Sequence, residues 1–145
     1  MSRTMLPAQL LFILSLLMGY APKPVISSVE LELITRGSQK SIRMDARKTQ
    51  IRINDDTTTV TTPAKYWKQV LKNLKTVKLS KLATLKTSSE RSQVDADYIT
   101  HVRVQTSAHL YESPQFDRAT PPRELTPLIK TLIDGIPSKN QSAFR

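Results

Sequence analysis

SVELELITRGSQKSIRM, residues 28–44, alternates apolar and polar side chains on both sides of a single glycine. Val29, Leu31 and Leu33 share one face with period two, and Glu30, Glu32 and Arg36 share the other, which is the pattern of a half-buried strand. After Gly37 and Ser38, Ile42, Met44 and Ala46 repeat the pattern against Arg43, Asp45 and Arg47, so the two runs predict an antiparallel hairpin. A turn at Gly37-Ser38 sets Leu33 opposite Ile42, Leu31 opposite Met44 and Glu32 opposite Arg43, where apolar pairing and charge pairing agree.

Toward the C-terminus the same reading extends the sheet. Gln50 to Asn54 predicts a third strand with Ile51 opposite Ala46, Ile53 opposite Met44 and Arg52 opposite Asp45. The turn formers Asn54, Asp55 and Asp56 lead to a fourth, edge-like strand over Thr57 to Thr62 with Val60 opposite Ile53. Thr62 is expected to cap a helix with Pro63 in its first turn, where a missing N–H costs nothing. Trp67, Val70, Leu71, Leu74 and Val77 recur at helical spacing and should face the sheet. Ser80 is expected to cap one more turn carrying Leu82 and Leu85, and the polar stretch Lys86 to Val94 to be an exposed loop. Tyr98 to Gln105 and His109 to Ser113 then read as two further strands, with Val104 opposite Tyr111 and Arg103 opposite Glu112. Pro121 and Pro122 open a second helix whose stripe is Leu125, Leu128, Ile129, Leu132, Ile133 and Ile136, stopped by Gly135 and Pro137. The fold class expected is α+β: an antiparallel sheet of about six strands, in the order four strands, helix, two strands, helix, with both helices on one face.

Toward the N-terminus, Arg3 precedes the apolar run Leu10 to Met18 and then Gly19-Tyr20-Ala21. A run about half the roughly 20 residues of a membrane span, followed by small residues, predicts a cleaved secretory signal peptide. Pro22 would follow a cut after Ala21, and Val25 with Ser27 offers a second position. The expected organisation is a signal peptide over 1–21, with cleavage as late as 27, a single domain over 28–137 and a polar tail over 138–145. There is no cysteine. A lipid-anchored lipoprotein, disulfides and thiolate chemistry are therefore excluded, and the product is expected to be periplasmic or secreted, with no transmembrane span in the mature form. Three glycines argue against glycine-rich phosphate loops.

Thr35-Arg36-Gly37, Trp67, Asp95-Ala96, and Tyr111 through Phe116-Asp117 to Pro121-Pro122 and Leu125 resemble a group of small, exported, uncharacterised bacterial proteins with a sheet-and-two-helix domain. The resemblance covers most of the mature chain. It implies export and a compact domain, with no activity and no site residues to carry over. In that group a glycine often follows the Phe-Asp pair closely, whereas Arg118 and Ala119 follow it here.

Candidate chemistry is sparse. His101 and His109 are the only imidazoles, and without cysteine, a third histidine or an HExxH spacing they do not predict a zinc site. His101 is expected to be a solvated sheet residue. Asp95 and Asp97 point the same way in extended chain, but no third ligand supports calcium or an acid–base pair. No nucleophile elbow, SxxK or Walker motif occurs. Neither a catalytic residue nor a cofactor is expected, and an unrecognised enzyme is the third-ranked reading. Phe116 and Asp117 predict a structural loop, the ring plugging the core edge and the carboxylate accepting backbone N–H bonds.

Charge is the one global feature that points to binding. The net charge is +10 and seven lysines lie between Lys65 and Lys86 with no acid among them. Lys65, Lys68, Lys72 and Lys75 fall on one helix face, the candidate anion-binding face. No aromatic interleaves with them and Trp67 points inward, so nucleic acid is not the expected partner. The expected function is that of an exported, non-catalytic binding or accessory protein whose partner is a protein or envelope component. The alternative is electrostatic binding of an anionic envelope surface, lipid or polysaccharide, through the lysine face.

Overall fold

Alternation does produce strands along the first half of the chain. The computed structural model describes residues 22–87 and 98–145. Strands β1 (Ile26–Thr35), β2 (Ser38–Met44), β3 (Lys48–Ile53) and β4 (Asp56–Thr61) form a meander, followed by helix α1 (Ala64–Val77) and a 3-10 segment (Leu79–Thr84). After them come β5 (Ile99–Thr106), β6 (Leu110–Glu112), β7 (Phe116–Asp117), α2 (Thr126–Asp134) and the short α3 (Ser138–Gln141). The strand order is β4-β3-β2-β1-β5-β6, with β7 also paired to β5, and every pairing is antiparallel. The protein is α+β.

One core lies between the sheet and the helices. The inward residues Val29, Leu31, Leu33, Ile42, Met44, Ile51, Val102 and Val104 are all buried, and α1 and α2 pack on them through Val70, Leu74, Val77, Leu128, Ile129, Leu132 and Ile133. Trp67 packs half-buried on the same core, and Leu82 of the 3-10 segment closes one end. At the far end of α2, Gly135 sits against β2. A Cβ there would stand 2.7 Å from the mobile end of Met44 and 3.2 Å from Thr131 O, so the glycine serves close packing rather than a left-handed cap.

The first two hairpins turn earlier than the sequence predicts with links of the same length, and the third is tighter. β1 and β2 turn at Arg36-Gly37, with Gly37 in the left-handed region at φ +82°, so Leu31 faces Ile42 and Leu33 faces Lys40. β2 and β3 turn over Asp45–Lys48, where Asp45 Oδ1 accepts the N–H groups of Arg47 and Lys48 at 2.7 and 2.8 Å, and Ile42 faces Ile51. Asn54, at φ 55°, closes the third hairpin and sets Val60 opposite Thr49. Each shift is by an even number of residues, so every side chain keeps its predicted face. At the β5–β6 turn the predicted register of Val104 to Tyr111 and Arg103 to Glu112 holds. Thr106 makes that turn workable, its Oγ1 accepting the N–H groups of Ala108 and His109 at 3.3 and 2.9 Å.

Three expectations need revision. Thr62 does not cap α1: Pro63 holds that position, and the buried Thr62 hydroxyl bonds that of Thr49 at 2.8 Å, tying the helix start to β3. Pro121 and Pro122 precede α2 rather than lie in it, and Pro127 occupies its first turn. The segment 138–145, expected as a polar tail, forms α3 and buries Phe144 completely in the core. Lys40 Nζ donates to Ala143 O at 2.9 Å and Arg118 donates twice to Phe144 O, so polar side chains fasten the segment at both sides of its one large apolar residue. The leader over 1–21 and the loop expected to end at Val94, from residue 88 onward, lie outside the described residues.

Candidate functional site

The lysine face follows from helix geometry. At about 100° per residue, Lys65, Lys68, Lys72 and Lys75 fall within an arc of roughly 80° and span about 15 Å of α1. Val70, Leu74 and Val77 occupy the opposite side and are buried, which fixes the lysines outward. All four are exposed, as are Lys78, Lys81 and Lys86 beyond them. None of the four pairs with a carboxylate among the described residues; Lys65 Nζ lies 4.8 Å over the ring of Tyr66. Such a row attracts anions by screened Coulomb forces and has no geometry for catalysis.

Phe116 and Asp117 are not a loop but the two-residue β7, paired with Thr100 and Ile99 of β5. Phe116 is buried in the core, and Asp117 Oδ1 accepts the Ala119 N–H at 2.8 Å. The next residue, Arg118, spends two donors on Phe144 O at 2.9 and 2.8 Å, and burial pushes its guanidinium below its ordinary pKa.

The sheet's other face holds a charged cluster that the sequence reading missed. Glu32, 6% exposed, is approached at 3.0 Å by both His101 Nε2 and Arg103 Nη2, and Gln39 Nε2 donates to its other oxygen at 2.5 Å. Neither approach to Oε2 has hydrogen-bond geometry, so the contact is electrostatic, and His101 Nδ1 is buried without a partner. Arg103 also reaches Glu112 at 2.8 Å and Glu30 at 3.6 Å. Burial works to lower the Arg103 pKa, but Glu112, Glu32 and Glu30 outweigh it and raise it.

His101 is thus 8% exposed rather than solvated, because β5 is an inner strand between β1 and β6. Glu32 lies opposite Ser41 and His101 rather than Arg43, which faces Glu30. A signal for the cluster was present: acids at Glu30 and Glu32 on β1 match His101 and Arg103 on β5 with the same two-residue spacing. His109 stands apart, edge-on to Tyr111 with ring centroids 6.2 Å away. Asp95 and Asp97 lie outside the described residues. Among the described residues no three His, Asp or Glu side chains converge as metal ligands, and no helix is long and apolar enough to cross a membrane. No family model, curated protein or solved structure matches the chain.

Proposed function

We propose that this chain is an exported, non-catalytic binding protein, kin to the small exported bacterial group it resembles, and that it engages an anionic envelope surface through α1. The observation that carries this reading is the row Lys65, Lys68, Lys72 and Lys75, exposed, aligned and without a carboxylate partner among the described residues. The charges on the open sheet face are used differently. Arg103 is shared among Glu30, Glu32 and Glu112, so that cluster holds strands together. On α1 no carboxylate among the described residues competes with an external anion.

Each lysine near an anionic membrane contributes about 1 kcal/mol, which falls away within a Debye length of about 8–10 Å at moderate salt. Four of them support reversible attachment without insertion. Sedimentation with vesicles tests this. The protein should pellet with vesicles rich in anionic lipid at low salt, stay in solution with zwitterionic ones, and be released by about 0.5 M salt. An acidic polysaccharide that displaces it at equal charge would identify glycan as the surface engaged. Equal binding to zwitterionic and anionic vesicles would contradict the reading. If neither surface is bound, a salt-resistant protein partner recovered from envelope extract becomes the alternative.

A further inference from the structure

One edge of the sheet is open along its whole length. β4 has β3 on one side and no strand among the described residues on the other. Thr62 N–H donates to Arg47 O at 3.0 Å, and bonded pairs alternate along an antiparallel ladder. Val60, Thr58 and Asp56 therefore bond β3, while Thr57, Thr59 and Thr61 turn their N–H and C=O groups outward, where none has a partner among the described residues. Proteins usually blunt such an edge with lysine, proline or a bulge. The sequence of β4 is DTTTVT and its register is unbroken, so it carries none of the three. Five of its six residues are exposed and Val60 is half-buried. The opposite edge strand, β6, has only three residues and ends in Glu112.

We propose that β4 pairs antiparallel with β4 of a second copy of this chain, about a two-fold axis at Thr59. This register uses all three outward-facing residues of each copy: Thr59 meets the partner's Thr59, Thr57 meets the partner's Thr61, and each such pair exchanges two hydrogen bonds. Between them Thr58 meets the partner's Val60, so the neighbours are β-branched throughout. Charge selects the direction. Asp55 and Asp56 are exposed at one end of β4 without an ion-pair partner among the described residues, and the exposed Arg47 and Lys48 lie beside Thr62 and Thr61 at the other. Antiparallel docking brings each acidic end within two strand spacings, roughly 10 Å, of the partner's basic end, whereas parallel docking sets like charges together. Both copies use the same edge, so the assembly closes at a dimer with both α1 helices on one side of a continuous sheet.

Sedimentation equilibrium of the purified protein from about 10 µM to about 1 mM should fit a monomer–dimer equilibrium with Kd on the order of 100 µM, as suits a small interface. Thr59→Lys sets two lysines side by side on the axis and should raise Kd at least tenfold with the unfolding midpoint unchanged, whereas Leu110→Lys on β6 should leave Kd as it is. Disulfide trapping reads the register, since the chain has no cysteine of its own. Thr59→Cys sets the two sulfurs across one bonded pair, with about 5.5 Å between Cα atoms, and should cross-link under mild oxidation. Thr57→Cys, whose counterpart lies four residues along the partner strand, about 14 Å away, should not. None of these readouts involves a vesicle, so they stand or fall apart from the reading of α1. A monomer throughout the concentration range, an unchanged Kd in folded Thr59→Lys, dissociation by Leu110→Lys, or equal trapping at both cysteine positions would each overturn the proposal.

Discussion

Glu32 is the residue on which the sheet's outer face depends. Its carboxylate is nearly dry and is surrounded by donors from β2 and β5, so removing it leaves Arg103 and His101 facing a void. Breaking a buried pair from one side costs about 3–5 kcal/mol, and Glu30 and Glu112 still hold Arg103 here. Glu32→Ala should therefore cost about 3 kcal/mol in urea unfolding, at the low end of that range. Asp45 behaves differently because it is a turn former. Burial works to raise its pKa, but the Lys48 and Arg47 N–H groups, with Lys48 and Arg43 as cations, outweigh it and hold the carboxyl below its ordinary value. A carboxyl lowered in the folded state adds stability above its unfolded pKa and loses it as pH falls through the folded one. Asp45→Ala should cost about 1 kcal/mol at neutral pH, and less near pH 3, when denaturation midpoints are compared. At this scale the sequence showed which residues are charged and on which face. It did not show which charges meet, because the Glu32–His101 contact joins strands nearly seventy residues apart and no local turn specifies it.

Elements were legible wherever periodicity spoke for them. Strands β1 to β6 and helix α1 lie where alternation and helical spacing put them, and α2 lies within its expected apolar stripe, because backbone geometry fixes the two-residue and 3.6-residue periods and burial marks one face. Register was less legible. It depends on where a turn falls and how many residues it consumes: Arg36-Gly37 and Asp45–Lys48 place turns of the expected length earlier in the chain, and Asn54 makes a shorter one. The start of α1 shows the same limit: Thr62 has the chemistry of a cap but spends its hydroxyl on Thr49. That bond makes a prediction. Thr49→Ala and Thr62→Ala should each cost about 1–2 kcal/mol, and the double variant about 1 kcal/mol less than their sum in thermal or urea unfolding. Additive costs would mean that the hydroxyl pair does not couple the helix to the sheet.

For the whole molecule, the C-terminal segment completes the core. A polar octapeptide carries too little apolar periodicity to announce itself, yet Phe144 fills a fully buried place within it. Phe144→Ala should cost about 3–5 kcal/mol and lower the unfolding midpoint accordingly. The N-terminal end bears on export in the same way. Val25 and Ser27 bond Ser107 and Gln105, and Ile26 pairs with Thr106, so β1 begins before the later of the two expected cleavage positions. Cleavage after Ala21 leaves these contacts whole, whereas cleavage after Ser27 would strip them. The proposed partner rests on charge alone, since a lysine row suits an anionic surface without identifying one. The central claim is that α1 makes the attachment. Reversing Lys68, Lys72 and Lys75 to glutamate and repeating vesicle sedimentation at low salt tests it most directly. The account predicts that anionic-vesicle binding falls by at least a hundredfold while the unfolding midpoint is unchanged. Undiminished binding by the folded triple variant would contradict it.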